Sequence, residues 1–346
     1  MSERRCFLDE GWGERRGVVT LNGRPERLLI EREGESPCRR LGARVVARVR
    51  SVDRSLGLAF AVMAEGPDAV LRFAGASAPH RDGDWIDAEV VAEAQHGKSV
   101  RLRLLGAATE GPPRLLNPGP SLAERLANYC RVRELEKGPA ARAAADLAQA
   151  EVLETEFLLA GGGTIAVERT RACVAIDVDV AGRIGQGAKR VARATNLTAL
   201  AEAARILRLK GLGGLVVIDL AGSGHDGGAL LAAARIAFGP DNPGVAIGPV
   251  SRFGTLEIVI PRRLRPTLEI LTGDDGCTTP VTDAMALLRA LECAADADRG
   301  ARLTALAPPA VLNAARPFLT RLVARFGNRL SVVEEASLAR WRISEA

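Results

Sequence analysis

The sequence predicts a mixed α/β protein of several domains, and three observations lead to that prediction. The chain has 346 residues, enough for two or three folded units at roughly 150 residues each. Its first third carries short runs in which apolar and polar side chains alternate, the pattern of half-buried strands. From Gly161 onward, apolar strands instead alternate with helices, as they do in an α/β sheet.

The composition narrows the class of protein. Hydrophobic residues make up 47% and charged residues 26% of the chain, which is typical of a folded protein and excludes wholesale disorder. No stretch of about 18 apolar residues is present, so no membrane span is expected. The N-terminus lacks the apolar core of a signal peptide, which predicts a cytoplasmic location. The 6 cysteines are scattered, which predicts reduced thiols.

The basic charge fits a nucleic-acid ligand without requiring one. Lys and Arg total 47 against 42 Asp and Glu, a net charge of +5, and nearly all of the basic residues are arginines. Arginine binds phosphate in a two-point contact. A GC-rich genome produces the same composition, so the charge alone does not decide the ligand.

The N-terminal segment predicts a hairpin followed by a small barrel. The apolar runs 17–21 and 27–31 flank Asn22 and Gly23, a pair suited to tight turns with positive φ. Alternating patterns at 56–63, 85–93 and 99–104 predict further short strands. Several such strands close together favour a closed barrel, with an OB-like barrel as the natural candidate. A plain β-meander without a ligand remains the alternative.

Proline and glycine residues mark the boundaries between predicted elements in the rest of the chain. The Pro- and Gly-rich segment 111–120 predicts a linker, and residues 121–157 predict helix. After Thr278 the pattern predicts a small α+β subdomain. Its expected elements are a helix at 283–295, a strand at 302–306, a helix at 310–326 and a strand at 329–334.

The region 162–258 contains two matched strands. The apolar run ACVAIDVDV at 172–180 and the apolar run GGLVVIDL at 213–220 each lead into aspartate. The helical pattern between them predicts a helix over 194–211, capped by Asn196 and ended by Gly211. A strand, helix and strand in this order form a crossover unit, whose strands are parallel.

Asp177, Asp179 and Asp219 therefore fall at the carboxyl ends of parallel strands, where open α/β sheets carry their sites. If the two strands are neighbours about 4.8 Å apart, Asp177 and Asp219 can reach one divalent cation. Oxygen ligands without nearby Cys or His favour magnesium over zinc. The alternative for any strand-end aspartate is a turn former or helix cap.

Two further segments near these strands carry polar side chains. SRFG at 251–254 places Arg252 near the same edge of the sheet, although an ordinary solvated basic loop is an equal alternative. The Gly-rich stretch AGSGHDGG after Asp219 contains His225, which is expected to be a solvated loop histidine.

Three sequence blocks together resemble the catalytic region of the ribonuclease E/G family. They are GGGTIAVERTRACVAIDVD, ATNLTALAEAARILRLKGLGGLVVIDL and VSRFGTLEIVIPRRLRPTLE, in the family's order and spacing. The resemblance is strong over 161–270 and weaker elsewhere. It implies a magnesium-dependent endoribonuclease of RNA processing or decay, which cuts single-stranded RNA to leave 5′-phosphate and 3′-hydroxyl ends.

The resemblance also implies a domain plan. Residues 1–41 and 106–165 would form a split RNase H-like region, interrupted at 42–105 by an inserted OB-fold RNA-binding barrel. Residues 166–272 would form a DNase I-like catalytic subdomain, and 278–346 the small C-terminal subdomain.

Site residues follow from the same resemblance. Asp177 and Asp219 would hold magnesium, with manganese as a substitute. Phe60 would stack on a base, while Lys98 and Arg252 would contact phosphates. Asp179 stands where the family usually has asparagine, and we expect it to orient the attacking water.

Other positions depart from the family. The segment TGDDGCTTP offers only Cys277 for the family's zinc link, so neither zinc nor a zinc-linked tetramer is expected, while a homodimer stays open. The loop AGSGHDGG replaces a polar loop of the family. No counterpart is found for the pocket that senses a 5′-monophosphate.

Two alternatives remain at this stage. The first is a catalytically inactive RNA-binding protein, in which only the barrel and the basic surface function. The second is a haloacid-dehalogenase-like phosphatase, because Asp-Val-Asp-Val after a hydrophobic strand and Gly273-Asp274-Asp275 imitate that family's motifs. No Gly-Thr follows Asp179, which argues against the phosphatase.

Overall fold

The protein is a mixed α/β structure, as the sequence predicts. The computed structural model describes residues 3–73, 81–95, 97–131, 134–180 and 187–345. Within these ranges the strands form four sheets, and seven α-helices pack against them. No helix in the described part of the chain combines the length and apolar character needed to cross a membrane.

An antiparallel sheet of three strands opens the chain, in the order β1-β2-β3. Its strands are β1 (Arg4–Glu10), β2 (Glu14–Leu21) and β3 (Arg24–Arg32). The predicted hairpin joins β2 to β3, and Asn22 and Gly23 form its turn with φ of 51° and 77°. Those angles explain why this pair of residues occupies the turn.

Two helices, rather than one helical stretch over 121–157, pack on this first sheet. Helix α1 (Leu122–Cys130) begins with a capping box between Ser121 and Glu124 and packs on β1 and β2. Helix α2 (Pro139–Leu153) covers the sheet through a row of buried alanines. Arg131 ends α1 in the left-handed conformation, which the helical composition of this region conceals.

A disulfide joins α1 to β1, so the expectation of reduced thiols is wrong for one pair of cysteines. Cys6 and Cys130 are bonded, with their Cα atoms 6.4 Å apart and 124 residues between them in sequence. Helix α1 lies directly on the strand that carries Cys6, and this contact brings the two thiols together. Spacing along the chain gave no sign of the pairing because it depends on tertiary packing.

A closed barrel follows the first sheet. Its strands are β4 (Arg44–Asp53), β5 (Leu58–Val62), β6 (Ala69–Arg72), β7 (Trp85–Ala92), β8 (Arg101–Ala107) and β9 (Arg114–Asn117). The order is β5-β6-β8-β7-β4-β9, and an additional pairing of β4 with β5 closes a ring of five strands. Strand β9 lies inside the predicted linker and pairs with β4, so that segment is partly an edge strand.

Glu93 attaches the barrel to the segment after the central sheet. Its backbone N–H donates to the Arg263 carbonyl at 2.8 Å, and its carboxylate accepts from the backbone N–H groups of Leu41 and Arg265 at 3.0 Å. Because these bonds connect three distant parts of the chain, they fix where the barrel sits.

The central sheet has six strands in the order β10-β11-β12-β13-β15-β14. They are β10 (Glu156–Leu158), β11 (Thr164–Arg169), β12 (Val174–Asp179), β13 (Gly214–Asp219), β14 (Ala246–Val250) and β15 (Thr255–Ile260). The associated helices are α3 (Ala188–Lys210), α4 (Gly227–Phe238) and α5 (Thr267–Leu271). Strands β12 and β13 are parallel neighbours joined through α3, as the crossover pattern predicts.

Helix α3 starts earlier than predicted and is packed between two sheets. It contacts β12 of the central sheet and β3 of the first sheet. The helix begins at Ala188, so Asn196 lies inside it and does not cap it. Gly211 ends the helix with φ of 68°, as expected for a left-handed C-terminal glycine.

The C-terminal segment forms a small three-stranded sheet with two long helices. Its elements are α6 (Pro280–Ala297), β16 (Leu303–Ala307), α7 (Pro309–Phe326), β17 (Leu330–Glu334) and β18 (Arg342–Glu345). The first four coincide with the predicted helices and strands. The sheet order is β17-β16-β18, and the polar strand β18 was not predicted.

Candidate functional site

Asp177 and Asp219 lie side by side at the carboxyl edge of the central sheet. They are direct partners in the parallel register of β12 and β13, and neighbouring strands lie about 4.8 Å apart. Ile176 and Ile218, one residue earlier, are buried against the helices. Since side chains alternate along a strand, both aspartates point to the opposite face, where both are exposed.

Asp179 extends this acidic edge along β12. It lies on the same face as Asp177, opposite Thr164 of β11, and it is exposed. Strand β13 ends at Asp219, so Asp179 reaches beyond the end of that neighbour. The three sequence-predicted carboxylates thus share one face and one edge.

The donor set suits a hard cation. Two carboxylates offer oxygen ligands, and Mg²⁺ is commonly held by one or two carboxylates while it keeps several waters. In the described residues no group of three or more His, Cys, Asp and Glu side chains comes together as a metal site. Asp177 and Asp219 would therefore act as a pair, with the remaining positions open to water or substrate oxygens.

The turn that carries Arg252 adjoins Asp219. Strand β15 runs antiparallel to β13, and Thr255 is the register partner of Asp219. The Ser251 and Thr255 hydroxyls are 2.7 Å apart, and the Ser251 hydroxyl accepts from the backbone N–H of Phe253 at 3.2 Å. These bonds fold the segment back on itself, so the intervening side chains project into solvent.

Arg252 presents its charge together with an aromatic ring. Its guanidinium carbon lies 4.6 Å from the centre of the Phe253 ring. Both side chains are exposed, and Phe253 reaches 77% exposure, which is unusual for a large apolar residue. A cation stacked on an aromatic ring can contact a phosphate and a base at adjacent positions.

Asn196 fixes the chain just after Asp219. Its side-chain amide donates to the Ala221 carbonyl at 3.0 Å, and its carbonyl oxygen accepts from the Ala221 N–H at 2.9 Å. Asn196 is buried, with 1% exposure. This two-way bond ties the loop that follows β13 to helix α3 and thereby holds Asp219 in place.

His225 is less solvated than its sequence context predicts. Its Nε2 atom is buried and has no hydrogen-bond partner within the described ranges. The ring packs over Gly254, where an added Cβ would lie 3.1 Å from Nε2. The loop after β13 therefore rests on the turn that carries Arg252, and His225 is a loop histidine that is only partly solvated.

Phe60 and Lys98 lie on the barrel. Phe60 is on the outward face of β5, between Ser51 of β4 and Val70 of β6, and is half-buried. Lys98 is exposed in the turn before β8, paired with Gln95 through two backbone hydrogen bonds. Strand β6 lies between β5 and β8, so the strand that carries Phe60 and the strand that follows Lys98 are two positions apart in the barrel.

Asp274 and Asp275 lie away from the aspartate edge. They occupy an exposed turn closed by a bridge between Thr272 and Thr278, after helix α5. Cys277 follows in the same turn as an exposed free thiol. An acid motif of a haloacid-dehalogenase-like phosphatase would have to stand at the strand ends, so this arrangement argues against that alternative.

Residues 123–263 match the sequence model of the Ribonuclease E/G family. The match runs from helix α1 through the end of β15 and includes both aspartates. This part of the chain is therefore similar to the Ribonuclease E/G family.

Individual ribonucleases resemble about a third of the chain. Ribonuclease E of Haemophilus influenzae is 40% identical over 118 residues, and ribonuclease E of Escherichia coli is 39% identical over 119 residues, each covering 33% of this chain. The chloroplastic ribonuclease E/G-like protein of Arabidopsis thaliana is 30% identical over 128 residues, or 36% of the chain. The matched segments span 12%, 11% and 13% of those relatives.

For three residues near the aspartates, the sequence does not predict the contacts seen in the structure. Asn196 was interpreted as a cap because it stands before an apolar period, although the helix begins eight residues earlier. Phe253 lies inside SRFG, where its position between a basic residue and glycine is the signal that could have indicated exposure. His225 gave no signal, because its packing depends on Gly254 in a distant turn.

Proposed function

We propose that the protein is a metal-dependent endoribonuclease that hydrolyses single-stranded RNA to 5′-phosphate and 3′-hydroxyl ends. One observation carries the proposal. The register of β12 and β13 sets Asp177 beside Asp219 on an exposed face, inside the region that matches the Ribonuclease E/G family.

In this proposal each residue at the edge has a separate task. Asp177 and Asp219 hold the divalent ion, magnesium or in its place manganese. Asp179 accepts a hydrogen bond from the attacking water and orients it toward the phosphorus. Arg252 contacts a phosphate next to the cleaved bond, while Phe253 lies where a base could stack. The bound ion would supply electrophilic stabilisation of the charge that develops on the phosphate oxygens.

The barrel would hold the RNA. We propose an OB-type barrel for β4 to β8, because its strand order closes β4-β5-β6-β8-β7 back onto β4. In OB-type barrels the second and third strands bind oligonucleotides. Here those strands are β5 and β6, and Phe60 lies on their outward face.

The domain plan completes the proposal. The first sheet with α1 and α2 would correspond to the split RNase H-like region at 1–41 and 106–165. The central sheet from β12 onward would belong to the DNase I-like subdomain at 166–272, while its strand β10 and the start of β11 come from the preceding segment. The last sheet would form the subdomain at 278–346.

A cleavage assay with matched variants tests the function. The substrate is a labelled single-stranded RNA, incubated with wild type, Asp177→Asn or Asp219→Asn in magnesium or in EDTA. Glu168→Gln is the control, because Glu168 of β11 is an exposed carboxylate on the same face of the sheet as the aspartates. Its register partner is Ala175, near the start of β12, so it lies away from the aspartate edge. We expect internal cuts that require magnesium, persist in the control and fall at least a hundredfold in both aspartate variants.

Other outcomes separate the alternatives. Binding of RNA without cleavage by the wild type would mean a catalytically inactive RNA-binding protein. Hydrolysis of small phosphate monoesters without cleavage of RNA would mean a phosphatase. Cleavage that survives in both aspartate variants would contradict the proposed site while leaving the family region intact.

A further inference from the structure

Trp85 stands apart from the other two tryptophans of the chain. Trp12 and Trp341 pack against the hydrophobic core of the C-terminal segment, and the Trp12 indole N–H donates to Glu292 at 2.9 Å. Trp85 belongs to none of the hydrophobic clusters formed by the described residues. A large aromatic side chain on a barrel surface without a core to fill needs another explanation.

The register of the barrel turns Trp85 outward. It is the first residue of β7, and the next residue, Ile86, is fully buried inside the barrel. The Trp85 ring therefore lies on the outer surface, opposite Arg48 of β4. The Arg48 guanidinium carbon is 5.5 Å from the ring centre, which is within the range of a cation–π contact.

Arg48 differs from the neighbouring arginines on the same surface. Arg44 is paired with Asp87, and Arg103 with Glu89, so carboxylates neutralise both. In the described part of the chain, Arg48 contacts the Gly83 carbonyl and the Trp85 ring and makes no ion pair. Its positive charge therefore remains available to a phosphate beside the stacked ring.

Trp85 and Phe60 border the same stretch of β4. Arg48 pairs with Trp85 on one side and with Val62 of β5 on the other, while Phe60 lies two residues before Val62 and faces outward as well. Two strand spacings and one outward repeat put the Cα atoms of Trp85 and Phe60 about 12 Å apart. The rings are thus close enough for one polynucleotide strand to reach both.

The surface beside Phe60 is concave, and part of it is formed by the segment that precedes Trp85. A cleft of about 720 Å³ is lined by Phe60 together with Ser51, Val52, Asp53, Arg54, Arg81 and Asp82. Arg81 and Asp82 belong to the segment that leads directly into β7. The residues that form this wall thus precede Trp85 by three and four positions in the chain, and Trp85 itself lies outside the cleft.

We infer that Trp85 and Arg48 form a second base-stacking position, so that the barrel holds single-stranded RNA by at least two bases. This inference rests on the proposed function and goes beyond it, because it assigns Trp85 and Arg48 as RNA contacts. The indole ring stacks on one base, and the guanidinium above the ring contacts an adjacent phosphate. Phe60 stacks on a second base of the same strand.

Tryptophan fluorescence gives a direct test. Wild type, Trp85→Phe and Trp85→Ala are titrated with a single-stranded oligoribonucleotide. EDTA is present throughout, because it prevents metal-dependent cleavage. We expect the RNA to quench wild-type emission and the quenching to disappear in Trp85→Phe. Affinity should fall roughly 5- to 100-fold in Trp85→Ala and less in Trp85→Phe, since loss of one stacked base has this size.

Leu105→Ala serves as the matched control. Leu105 is an exposed apolar residue of the same barrel, 47% accessible on β8, and the substitution should leave quenching and affinity unchanged. A duplex of the same sequence should quench little, because its bases are already stacked.

The outcomes separate this inference from the proposed function. If the wild type binds RNA while Trp85→Ala binds equally well and no emission depends on Trp85, the second stacking position is wrong and the endoribonuclease proposal stands. If duplex quenches as strongly as single strand, stacking is refuted as well. If the wild type binds no single-stranded RNA, both proposals fail together.

Discussion

Replacement of Asn196 by alanine isolates the support behind Asp219. The change removes both hydrogen bonds between the Asn196 amide and the Ala221 backbone, at 3.0 and 2.9 Å. Two bonds at about 1 kcal/mol each, together with backbone groups left unsatisfied in a partly buried place, give a loss of about 2–3 kcal/mol in the free energy of unfolding. The loop after β13 would also move, and Asp219 with it.

Activity and stability should therefore fall together but by different mechanisms. Urea denaturation followed by far-UV circular dichroism measures the free energy of unfolding, and single-turnover RNA cleavage measures the chemical step. Displacement of Asp219 relative to Asp177 should slow cleavage at least tenfold at a temperature where the variant is fully folded.

Thr198→Ala provides the control in the same helix. Its hydroxyl donates to the Ala194 carbonyl one turn earlier, and among the described residues it has no hydrogen bond to the loop or to the aspartates. We expect a change within about 0.5 kcal/mol and normal cleavage. If Asn196→Ala loses less than about 0.5 kcal/mol in the free energy of unfolding and cleaves RNA normally, the Asn196 amide does not hold Asp219 in place.

Three further predictions concern other parts of the molecule. Burial lowers the pKa of Lys210 to about 8 from 10.5, so the unfolded chain binds more protons than the folded chain between those pH values. The free energy of unfolding of wild type, relative to that of Lys210→Met, should therefore rise by roughly 3 kcal/mol across that interval. Denaturation at several pH values measures this difference, and a difference that does not change with pH would contradict the lowered pKa. Reduction of the Cys6–Cys130 disulfide, which links residues 124 positions apart, should lower the free energy of unfolding of the wild type by about 3–5 kcal/mol. The free energy of unfolding of a Cys6→Ser/Cys130→Ser variant should not change with reductant. An equal effect of reductant on both proteins would argue against the disulfide. Lys98→Gln should reduce the slope of log affinity for single-stranded RNA against log salt concentration by about 0.7. Phe60→Ala should weaken binding without altering that slope. If Lys98→Gln leaves the slope unchanged, Lys98 does not contact a phosphate.

The elements that could be predicted from the sequence are those that depend on local patterns of residues. The hairpin at Asn22 and Gly23, the crossover through α3 and the C-terminal helices all follow from apolar periodicity and turn residues. The pairing of Asp177 with Asp219 also follows from local information, because a short crossover favours adjacent parallel strands.

The features that the sequence did not reveal depend on tertiary packing. Strand β10 was absorbed into a helical prediction because three residues are too few for a period, and β9 was hidden between prolines. The start of α3 at Ala188 was missed because its first turns are charged and face away from the core. Only contact across the fold could show that Asn196 holds Ala221.

The attachment of the barrel through Glu93 has a consequence for the length of a substrate. Glu93 bonds to the segment just after Ile260, which pairs with Gly214, whereas the aspartates stand beside Thr255 at the other end of β15. That strand measures roughly 17 Å from end to end. In the proposed nuclease, a transcript held by the barrel near this attachment would have to bridge that gap to reach the aspartates, and fragments too short to do so would escape further trimming.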